Sequence, residues 1–573
     1  MTLVCVPIMM RDVDSALADA TAAANLGADL VEFRVDEFFT GGADAEAQTR
    51  AIMGVVSSCP VAAIVTCRHS SEGGSYDGDE EDRVELYRAL AAATGPGRHP
   101  PRYLDFELER YGASNARRAE VNAAVDAERT RTSFDALGGE EKPTLILSNH
   151  DFQGRPADLA RRVIRMRAEA AAGVLKIAYR ARSLRDNLEL FDLLSERDRP
   201  MIALAMGEFG LISRLLAPKF GGFLTFAALR PAATTAPGQP TVRELVDTYR
   251  FRSINRRTKV YGIAGWPVGH SKSPLVHNAG FEATRFNGVY VPLPIAVAEG
   301  DAADAQSSYA SFKATLLALA EHPRLDLSGL SVTIPHKENL VRLGREQGWD
   351  LDELSGLCGA ANTMVIDRDE RGGVARVRIL NTDAPAAISC LEERIGSLRG
   401  KVVGVLGAGG VARAIVFALA RAGATVRVCN RSAARAEELA AAAARATGAD
   451  VRGHELSSDI VSSMAATTAA WVNCTPIGMA GGPDPAGSPI EFKPGSGPGA
   501  GALSNFPAGT AVLDTVYNPA RTPLLEAAQA AGLVTIDGVS MFVRQAEAQF
   551  SAWTGTNAPP GLFERTVRDA LGA

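Results

Sequence analysis

Residues 401–412, KVVGVLGAGGVA, lead from an apolar β-type run through a glycine turn into a helix-like segment. The turn fits the pattern G-x-G-x-x-G/A, with Gly407, Gly409 and Ala412 at its three key positions. Such glycines let the backbone approach a pyrophosphate at the start of a helix. The alternative is an ordinary strand-turn-helix whose glycines serve close packing, so the surrounding sequence has to decide.

The next strand-like run, residues 425–429, is followed by Asn430 and Arg431. A fold of this kind that binds NAD carries Asp or Glu at about this position for the ribose hydroxyl, whereas an arginine accommodates a 2′-phosphate. We therefore expect the second half of the chain to be α/β, with a Rossmann-type domain that binds NADP.

Length and composition restrict the class of protein. A chain of 573 residues that is 46% hydrophobic predicts two to four globular domains. The net charge of -6 includes no basic block, so nothing favours nucleic-acid binding. Seven scattered cysteines without metal spacing are typical of reduced thiols in a cytosol-like compartment. Met1 leads at once into a strand-like run and no apolar run is long enough for a membrane, so a plastid location would need a targeting segment absent here.

Apolar runs alternate with helix-like stretches throughout the first half, which predicts a (β/α)8 barrel with its active site at the carboxyl ends of the strands. The runs are residues 3–8, 28–35, 61–67, 103–108, 143–148, 174–178, 201–205 and 223–227. Polar side chains cluster at the ends of these runs: Glu32, Arg34, Arg68, Glu107, His150, Lys176 and Arg214.

Lys176 follows Val174 and Leu175 in a run that should point it into the barrel mouth. A lysine in an apolar strand is costly unless it is paired or used. It is either a buried ion pair with Glu32 or Glu107, or a Schiff-base nucleophile. His150 alone is as compatible with a hydrogen-bonded structural histidine as with a base.

Separated motifs across the first half resemble those of type I 3-dehydroquinate dehydratase, in the family's order. They are VEFRVD (31–36), VTCR followed by EGG (65–74), SNHDF (148–152), VLKIA (174–178), MGEFGLISRLLAPKFGG (206–222) and TTAPGQP (234–240). The resemblance implies that Lys176 forms an imine with the ketone of 3-dehydroquinate, and that His150 removes the neighbouring proton and helps the hydroxyl leave as water. A protonated imine is an electron sink that stabilises the resulting enamine.

The same resemblance implies roles for the groups around this pair. Glu107 would orient His150, and Arg214 would clamp the substrate carboxylate. The substrate's hydroxyls and neighbouring charges would be bound by Glu32, Arg34, Arg68, Thr235 and Gln239, with Thr235 standing where the family usually has serine. The segment YRARSLRDN (179–187) replaces a small, Thr-rich run, a departure that bears on substrate fit.

Motifs from residue 260 onward resemble those of shikimate dehydrogenase, again in order. They are YGIAGWPVGHSKSP (261–274), GLSVTIPHKE (329–338), GAANT (359–363), NTD (381–383), the glycine turn, NRS (430–432), NCTPIGM (473–479), DTVYNP (514–519) and MFVRQAEAQFSAWTG (541–555). The whole chain is thus similar to the fused dehydratase–dehydrogenase enzymes of plants and related eukaryotes.

Lys337 and Asp383 are the pair that this resemblance favours for hydride transfer to a ketone. A lysine can stabilise alkoxide charge and pass a proton while a carboxylate holds it in place. Taken alone, the two residues fit a surface lysine and an aspartate cap equally well.

Further ligands in the second half are implied by the resemblance, which requires no metal. The substrate carboxylate would be held by Ser271 and Ser273, and the ring hydroxyls by Thr333, Asn362, Tyr517, Gln545 and Gln549. The cofactor would be held by Gly407, Ala408, Gly409, Gly410, Val411, Asn430, Arg431, Arg435, Thr475 and Met479. Ile379 and Ala386 replace usual glycines, which predicts a narrower cleft, and residues 479–509 are expected to form an exposed loop without chemistry.

We expect a dehydratase barrel (1–246), a linker (247–259) after a helix at 241–249, a shikimate-binding lobe (260–383), an NADP-binding lobe (384–537) and a helical segment returning to the substrate lobe (538–573). The implied function is dehydration of 3-dehydroquinate to 3-dehydroshikimate and reduction of that product to shikimate with NADPH, by a monomer that binds neither nucleic acid nor membrane. A quinate-preferring dehydrogenase and a non-catalytic ligand sensor are the alternatives. The presence of Lys176 with His150 and of Lys337 with Asp383 argues against the sensor, because a protein that only binds ligand needs no proton-transfer pair.

Overall fold

The computed structural model describes residues 1–94, 97–125, 142–233, 238–297, 305–490 and 506–572. The chain divides into two compact units, Met1–Thr258 and Lys259–Ala573. No helix in these ranges combines the length and the apolar character needed to cross a membrane.

The first unit alternates strands and helices. Its described strands are β1 (Leu3–Met9), β2 (Leu30–Arg34), β3 (Ala62–Thr66), β4 (Tyr103–Glu107), β5 (Thr144–Asp151), β6 (Ala172–Arg180), β7 (Met201–Met206) and β8 (Leu224–Phe226). Its described helices are α1 (Val13–Asn25), α2 (Ala45–Ser58), α3 (Glu80–Ala91), α4 (Leu108–Tyr111), α5 (Asn115–Ala124), α6 (Leu159–Ala168), α7 (Asp186–Ser195), α8 (Leu211–Leu215) and α9 (Ala217–Phe220).

The strands of this unit form one parallel sheet in the order β7-β6-β5-β4-β3-β2-β1-β8. The Phe223 N–H donates to the Met201 carbonyl at 2.8 Å and links the two edges. The sheet is therefore the nearly closed (β/α)8 barrel that the sequence predicted. Its strands are continuous apolar runs because residues on both faces are buried, against the barrel interior or against the helices.

The helix predicted at 241–249 is present over residues 242–248, with a π-helical turn at Glu244–Thr248, and a 3-10 turn follows at Phe251–Ser253. Arg250 between them has a φ of +52°, a left-handed conformation that stops a right-handed helix.

The second unit contains two further sheets. The described strands are β9 (Lys259–Gly265), β10 (Gly288–Pro294), β11 (Leu327–Val332), β12 (Asp350–Leu351), β13 (Thr363–Arg368), β14 (Val374–Leu380), β15 (Val402–Leu406), β16 (Thr425–Asn430), β17 (Val451–Glu455), β18 (Thr468–Asn473), β19 (Ala511–Asp514) and β20 (Val534–Ile536). The described helices are α10 (Ser273–Ala283), α11 (Ala305–Glu321), α12 (Lys337–Gln347), α13 (Glu353–Cys358), α14 (Asp383–Ile395), α15 (Gly410–Arg421), α16 (Ala433–Thr447), α17 (Ser458–Met464), α18 (Pro523–Ala530), α19 (Gly538–Thr554) and α20 (Leu562–Leu571).

One sheet is mixed, in the order β10-β9-β11-β13-β14-β12, and the other is parallel, in the order β17-β16-β15-β18-β19-β20. In the parallel sheet the chain order reverses beside β15, the position at which doubly wound sheets bind ligands. The glycine turn follows β15, so it lies at this switch point.

Helix α19 returns to the mixed sheet, as expected. Trp553 Nε1 donates to the Met364 carbonyl on β13 at 3.0 Å, and the Ser331 hydroxyl on β11 donates to Gln549 Oε1 at 2.7 Å. The two glutamines Gln545 and Gln549 lie on one buried face of this helix.

Within the stretch 479–509, residues 480, 481, 483–486 and 507–509 are exposed, as predicted for a loop, whereas Ile490 and Phe506 are buried. Ile490 and Phe506 are buried against Trp471, because each end of the stretch supplies an apolar side chain to the core of the parallel sheet. Residues 491–505 lie outside the described residues.

Candidate active sites

Polar side chains converge at the carboxyl ends of the barrel strands. Residues two apart on a strand share a face, so Ser148 and His150 on β5 point the same way. Ser148 pairs in register with Glu107 on β4 and with Lys176 on β6. Three neighbouring strands thereby bring these groups to one level of the barrel.

Lys176 is buried in a network of opposite charges. Its Nζ lies 2.8 Å from Asp105 Oδ2 and 3.1 Å from Glu32 Oε1. Asp105 also accepts from Arg68 Nη2 at 3.0 Å and from the Ser148 hydroxyl at 2.6 Å. Burial alone raises the pKa of Asp105, but Arg68 and Lys176 outweigh it and hold the pKa below its ordinary value. Of the two ion-pair partners suggested for Lys176, Glu32 is present. The other carboxylate that contacts the lysine is Asp105 and not Glu107.

His150 is held by Glu72, and this corrects the role predicted for Glu107. Glu72 Oε2 lies 3.1 Å from His150 Nδ1 and accepts the His150 backbone N–H at 2.9 Å. Glu107 instead accepts from Arg83 Nη1 at 2.6 Å and from the His69 backbone N–H at 2.9 Å. The physical reason is that the buried guanidinium of Arg83 engages Glu107, while the loop after β3 carries Glu72 to the histidine.

The electrostatics of this pair suit a neutral base. Burial, together with Arg68 and Lys176, lowers the pKa of His150 well below its ordinary value. Burial raises the pKa of Glu72 to about 7. When Glu72 is ionised, His150 Nδ1–H donates to it and leaves Nε2 with its lone pair.

Arg214 on α8 is 1% exposed, and its Nε and Nη1 have no hydrogen-bond partner among the described residues. Burial lowers its pKa to about 10. A buried guanidinium with two free donors is suited to a carboxylate ligand.

The remaining barrel residues are placed differently. Arg34 donates two hydrogen bonds to Asp36, from Nε at 2.8 Å and from Nη2 at 3.0 Å. Its guanidinium therefore already has a carboxylate partner within the protein. Gln239 is half-buried and has contacts of its own, and Thr235 lies outside the described residues. In the segment 179–187, the Tyr179 hydroxyl donates to the Asp186 carbonyl at 2.6 Å, and Arg182 donates to the Gln153 carbonyl at 2.8 Å. This segment therefore ties its own loop to the loop that follows His150.

The second unit contains one lysine–aspartate pair at the start of two helices. Lys337 begins α12 and Asp383 begins α14. Lys337 Nζ donates to Asp383 Oδ2 at 2.6 Å, with each side chain 11% exposed. This geometry differs from the surface lysine of the alternative interpretation.

A cavity of about 470 Å³ connects Lys337 to the glycine turn. It is lined by Lys337, by the turn residues Gly407, Ala408, Gly409, Gly410 and Val411, and by Asn430, Arg431, Cys474 and Thr475. Gly407 has a φ of +107°, which favours glycine, and a Cβ on Gly410 would lie 3.4 Å from Lys337 Cβ. The turn therefore lets the N-terminus of α15 open onto the cavity beside Lys337.

The cavity fits a dinucleotide with a 2′-phosphate. The first N–H groups of α15 face an anion site of the usual kind. Arg431 is exposed and has no ion-pair partner among the described residues, and no Asp or Glu occupies the position after β16. Arg435, in the first turn of α16, and Met479 are not among the lining residues, whereas Pro483 and Asp484 are. The stretch after Met479 thus contributes two residues to the lining of the cavity.

The other predicted substrate ligands of the second unit make contacts with one another and with their neighbours. The Ser273 N–H donates to Ser271 Oγ at 3.2 Å. Asn362 Nδ2 donates to Thr382 Oγ1 at 3.0 Å and lies 3.4 Å from Gln545 Oε1. Burial raises the pKa of Tyr517, whose ring centroid lies 4.6 Å from that of Phe542 with the two planes tilted by 31°.

Four further residues named in the sequence analysis lie in the second unit: Gln549, Thr333, Ile379 and Ala386. Both ends of the Gln549 amide are engaged, since its Nε2 donates to Thr363 Oγ1 at 2.9 Å and its oxygen accepts from Ser331. Thr333 is half-buried beside Gly265. Ile379 is fully buried against Gly344, and Ala386 belongs to the core beneath α15, so neither side chain lines the described cavity.

Comparisons with known proteins match successive parts of the chain. The family model for type I 3-dehydroquinase matches residues 4–256, and that for the shikimate dehydrogenase substrate binding domain matches 263–364. Models for shikimate / quinate 5-dehydrogenase and for the shikimate 5′-dehydrogenase C-terminal domain match 389–474 and 538–568.

The chain is 34% identical to the chloroplastic bifunctional 3-dehydroquinate dehydratase/shikimate dehydrogenase of Arabidopsis thaliana, over 98% of this chain and 83% of that protein. The chain belongs to this bifunctional family. It is also 36% identical to the NADP(+) shikimate dehydrogenase of Methanocella arvoryzae, over 54% of this chain and 99% of that protein. The structure of the S. pombe dehydroquinate dehydratase and shikimate dehydrogenase is 24% identical, covers 99% of this chain and 98% of that one, and gives a TM-score of 0.40.

Within this bifunctional family member, sequence reasoning missed Glu72, Asp105 and Ser148 at the barrel site. Asp105 had a signal, because it is two residues before Glu107 and therefore on the same face of β4. Glu72 stands in the quoted EGG motif, but its partner depends on how that loop folds. Thr382, which links Asn362 to the neighbouring Asp383, could have been found from the NTD motif.

Proposed function

We propose that the chain catalyses two consecutive reactions. The first unit dehydrates 3-dehydroquinate to 3-dehydroshikimate, and the second reduces 3-dehydroshikimate to shikimate with NADPH. The observation that carries this proposal is the resemblance over nearly the whole chain to a bifunctional relative, together with a buried lysine beside a neutral histidine in one unit and a lysine–aspartate pair on a dinucleotide cavity in the other. The proposed division places the dehydratase in residues 1–246 and the reductase in 260–573.

In the proposed dehydratase reaction, Lys176 is the nucleophile. Asp105 is shared between Lys176 and Arg68, so this carboxylate does not pair with the lysine alone. The amine adds to the ketone carbon, and water leaves as the protonated imine forms. Arg214 offers its two free donors to the substrate carboxylate. Glu32, which contacts Lys176, and Arg68, which contacts Asp105, are proposed to orient the ring.

His150 is proposed to move the protons. Its neutral imidazole takes the proton from the carbon next to the imine, and the electron pair moves to the imine nitrogen. His150 then returns the proton to the hydroxyl on the next carbon, which leaves as water, and hydrolysis of the imine releases the product and Lys176. Glu72 fixes the ring and stabilises the imidazolium between these steps.

In the proposed reductase reaction, NADPH supplies the hydride when bound. The glycine turn is proposed to hold its pyrophosphate, and Asn430 and Arg431 its 2′-phosphate, while Thr475 lines the cavity beside Gly407. Lys337 donates a proton to the carbonyl oxygen as it becomes a hydroxyl, and Asp383 holds the ammonium in place. Ser271 and Ser273 are proposed to bind the substrate carboxylate, with Asn362, Tyr517 and Gln545 placing the ring hydroxyls.

The direct test is to give the purified chain 3-dehydroquinate and NADPH together, follow the absorbance of NADPH and identify the product. Consumption of NADPH with formation of shikimate is expected. If no NADPH is consumed, 3-dehydroshikimate is added to locate the failure. Consumption that begins at this point would refute the dehydratase half, and continued absence of consumption would refute the reductase half. Quinate with NADP in the reverse direction tests whether the second unit prefers that substrate.

A further inference from the structure

Arg83, on α3 outside the barrel lining, is a buried cation that belongs to none of the motifs described above. Its side chain is 0% exposed. Nη1 donates to Glu107 Oε2 at 2.6 Å and to the Cys67 carbonyl at 2.8 Å, while Nε and Nη2 each donate to Glu80 at 2.9 Å. The ring of Phe106 lies 4.2 Å from its Cζ. A desolvated charge is costly unless it is fully paired, and this one is enclosed on every side.

A chain of alternating charges runs from Arg83 to the proposed nucleophile. Glu107 lies between Arg83, at 2.6 Å, and Arg68, at 3.6 Å. Arg68 is 3.0 Å from Asp105, and Asp105 is 2.8 Å from Lys176. These five side chains are all buried, so water screens the interactions between them weakly.

We propose that Arg83 is a positioning residue of the dehydratase site, which keeps Lys176 reactive by neutralising Glu107. With Glu107 engaged by Arg83, Arg68 pairs with Asp105, and Asp105 binds the lysine ammonium less tightly. Loss of the Arg83 charge would draw Arg68 toward Glu107 and leave Asp105 to Lys176 alone. Without Arg83, the negative charge of Glu107 would also stabilise the protonated form of Lys176 directly. Both effects therefore favour the cationic lysine. This inference rests on the proposed imine chemistry.

A small set of groups surrounds Lys176 and Arg83, the two ends of this series of alternating charges. Lys176 is faced by Cys5 on β1, Glu32 on β2, Arg68 after β3, Asp105 on β4, Ser148 and His150 on β5, and Phe226 on β8, with Arg34 and Glu72 behind them. Arg83 is faced by Glu80, Cys67, Tyr76, Tyr87, Phe106 and Glu107. Burial raises the pKa of Cys5, Cys67, Tyr76 and Tyr87, so these four are neutral, and the carboxylates and cations set the balance.

The test measures the pH dependence of trapping of the substrate imine by cyanoborohydride, with the adduct mapped to Lys176 by peptide mass spectrometry. Imine formation precedes the His150 step, so trapping reports on the lysine. In Arg83→Gln the midpoint of the trapping rate should move to higher pH by about one unit, a tenfold loss near neutrality. In Glu107→Gln it should move to lower pH. In the double variant it should return to near the wild-type value, because both charges are gone.

The controls separate charge from folding. Reduction of 3-dehydroshikimate by the second unit checks the integrity of each variant chain. Arg117→Gln removes another arginine that contacts Glu80, at 3.5 Å, but makes no contact with Glu107, and should leave the midpoint in place. Shifts of the same sign in both single variants, or a double variant as shifted as Arg83→Gln, would overturn the inference in favour of a packing role. Absence of any Lys176 adduct in the wild-type chain would instead refute the proposed imine chemistry.

Discussion

Glu72 Oε2 accepts the backbone N–H of His150 at 2.9 Å and lies 3.1 Å from Nδ1 of the same residue. The carboxylate comes from the loop after β3, not from a barrel strand. Two glycines follow it, and a Cβ on Gly74 would lie 1.9 Å from the Arg68 carbonyl oxygen, so the loop can fold this closely only with glycine at that place. The loop thus carries the partner of the proposed base to a histidine 78 positions away in sequence.

Replacement of Glu72 by glutamine should slow dehydratase turnover by about 100-fold, with a small change in the apparent affinity for substrate. The amide cannot stabilise an imidazolium, so His150 becomes a poorer base. Glu109→Gln, which alters an exposed carboxylate paired with Arg165, is the matched control and should leave turnover unchanged. Steady-state kinetics on the dehydratase substrate measure both, and equal kinetics for the Glu72 variant and the wild type would contradict the role of Glu72.

The choice between Glu72 and Glu107 shows where sequence reasoning stops. The strands were predictable because apolar runs of the right length alternate with helical stretches, and the polar residues that end them mark the barrel mouth. The partner of His150 could not be predicted, since it depends on the fold of a glycine loop and on Arg83, a helix residue that belongs to no motif. In the second unit the glycine turn and Arg431 follow from local pattern, whereas the contribution of Asp484 depends on a long loop returning to the cavity.

Borohydride treatment in the presence of 3-dehydroquinate should attach the reduced substrate to Lys176. Only an imine is reduced to a stable amine under these conditions, so the adduct identifies the nucleophile. Lys176→Ala should gain no adduct, whereas Lys142→Ala, which changes an exposed lysine, should gain as much as the wild type. An adduct of equal yield in Lys176→Ala, measured by intact mass, would exclude Lys176 as the nucleophile.

Lys337→Met should slow the reductase reaction by about 1,000-fold at saturating substrate and leave dehydratase activity intact. The loss reflects removal of the group proposed to donate the proton and stabilise the oxygen, both worth factors of this size. Lys313→Met is the control, because Lys313 forms a surface ion pair with Glu346 at 2.8 Å. Titration with NADPH, followed by fluorescence, should show similar cofactor affinity in both variants. A loss of cofactor affinity as large as the loss of turnover would assign Lys337 to cofactor binding instead.

Arg431→Ala should weaken NADPH binding by about 10- to 100-fold and NADH binding much less. Arg431 lines the cavity without a protein partner, and a charged hydrogen bond to a phosphate is worth about 1.5–3 kcal/mol. Arg435→Ala should have a smaller effect, because Arg435 does not line the cavity. Dissociation constants for both cofactors provide the comparison, and equal losses for NADPH and NADH in Arg431→Ala would remove the basis for 2′-phosphate recognition.

Asp514 should make the stability of the second unit depend on pH. It is fully buried, accepts from Asn473 Nδ2 at 2.9 Å and from Thr522 Oγ1 at 2.6 Å, and burial raises its pKa to about 6. A carboxyl whose pKa is raised in the folded state contributes stability below its unfolded pKa and loses it as pH rises through the folded pKa. The free energy of unfolding of the wild type relative to Asp514→Asn should therefore fall by about 1 kcal/mol between pH 5 and 7.

Tryptophan fluorescence isolates this effect, because all four tryptophans (266, 349, 471 and 553) lie in the second unit. Urea unfolding of both chains at pH 5, 6 and 7 gives the difference directly. The Asn side chain does not titrate, so a constant offset from lost hydrogen bonds cancels between pH values and leaves only the linkage of Asp514. A difference that stays flat would mean that Asp514 is ionised in the folded protein throughout this range and that its three donors outweigh the cost of burial.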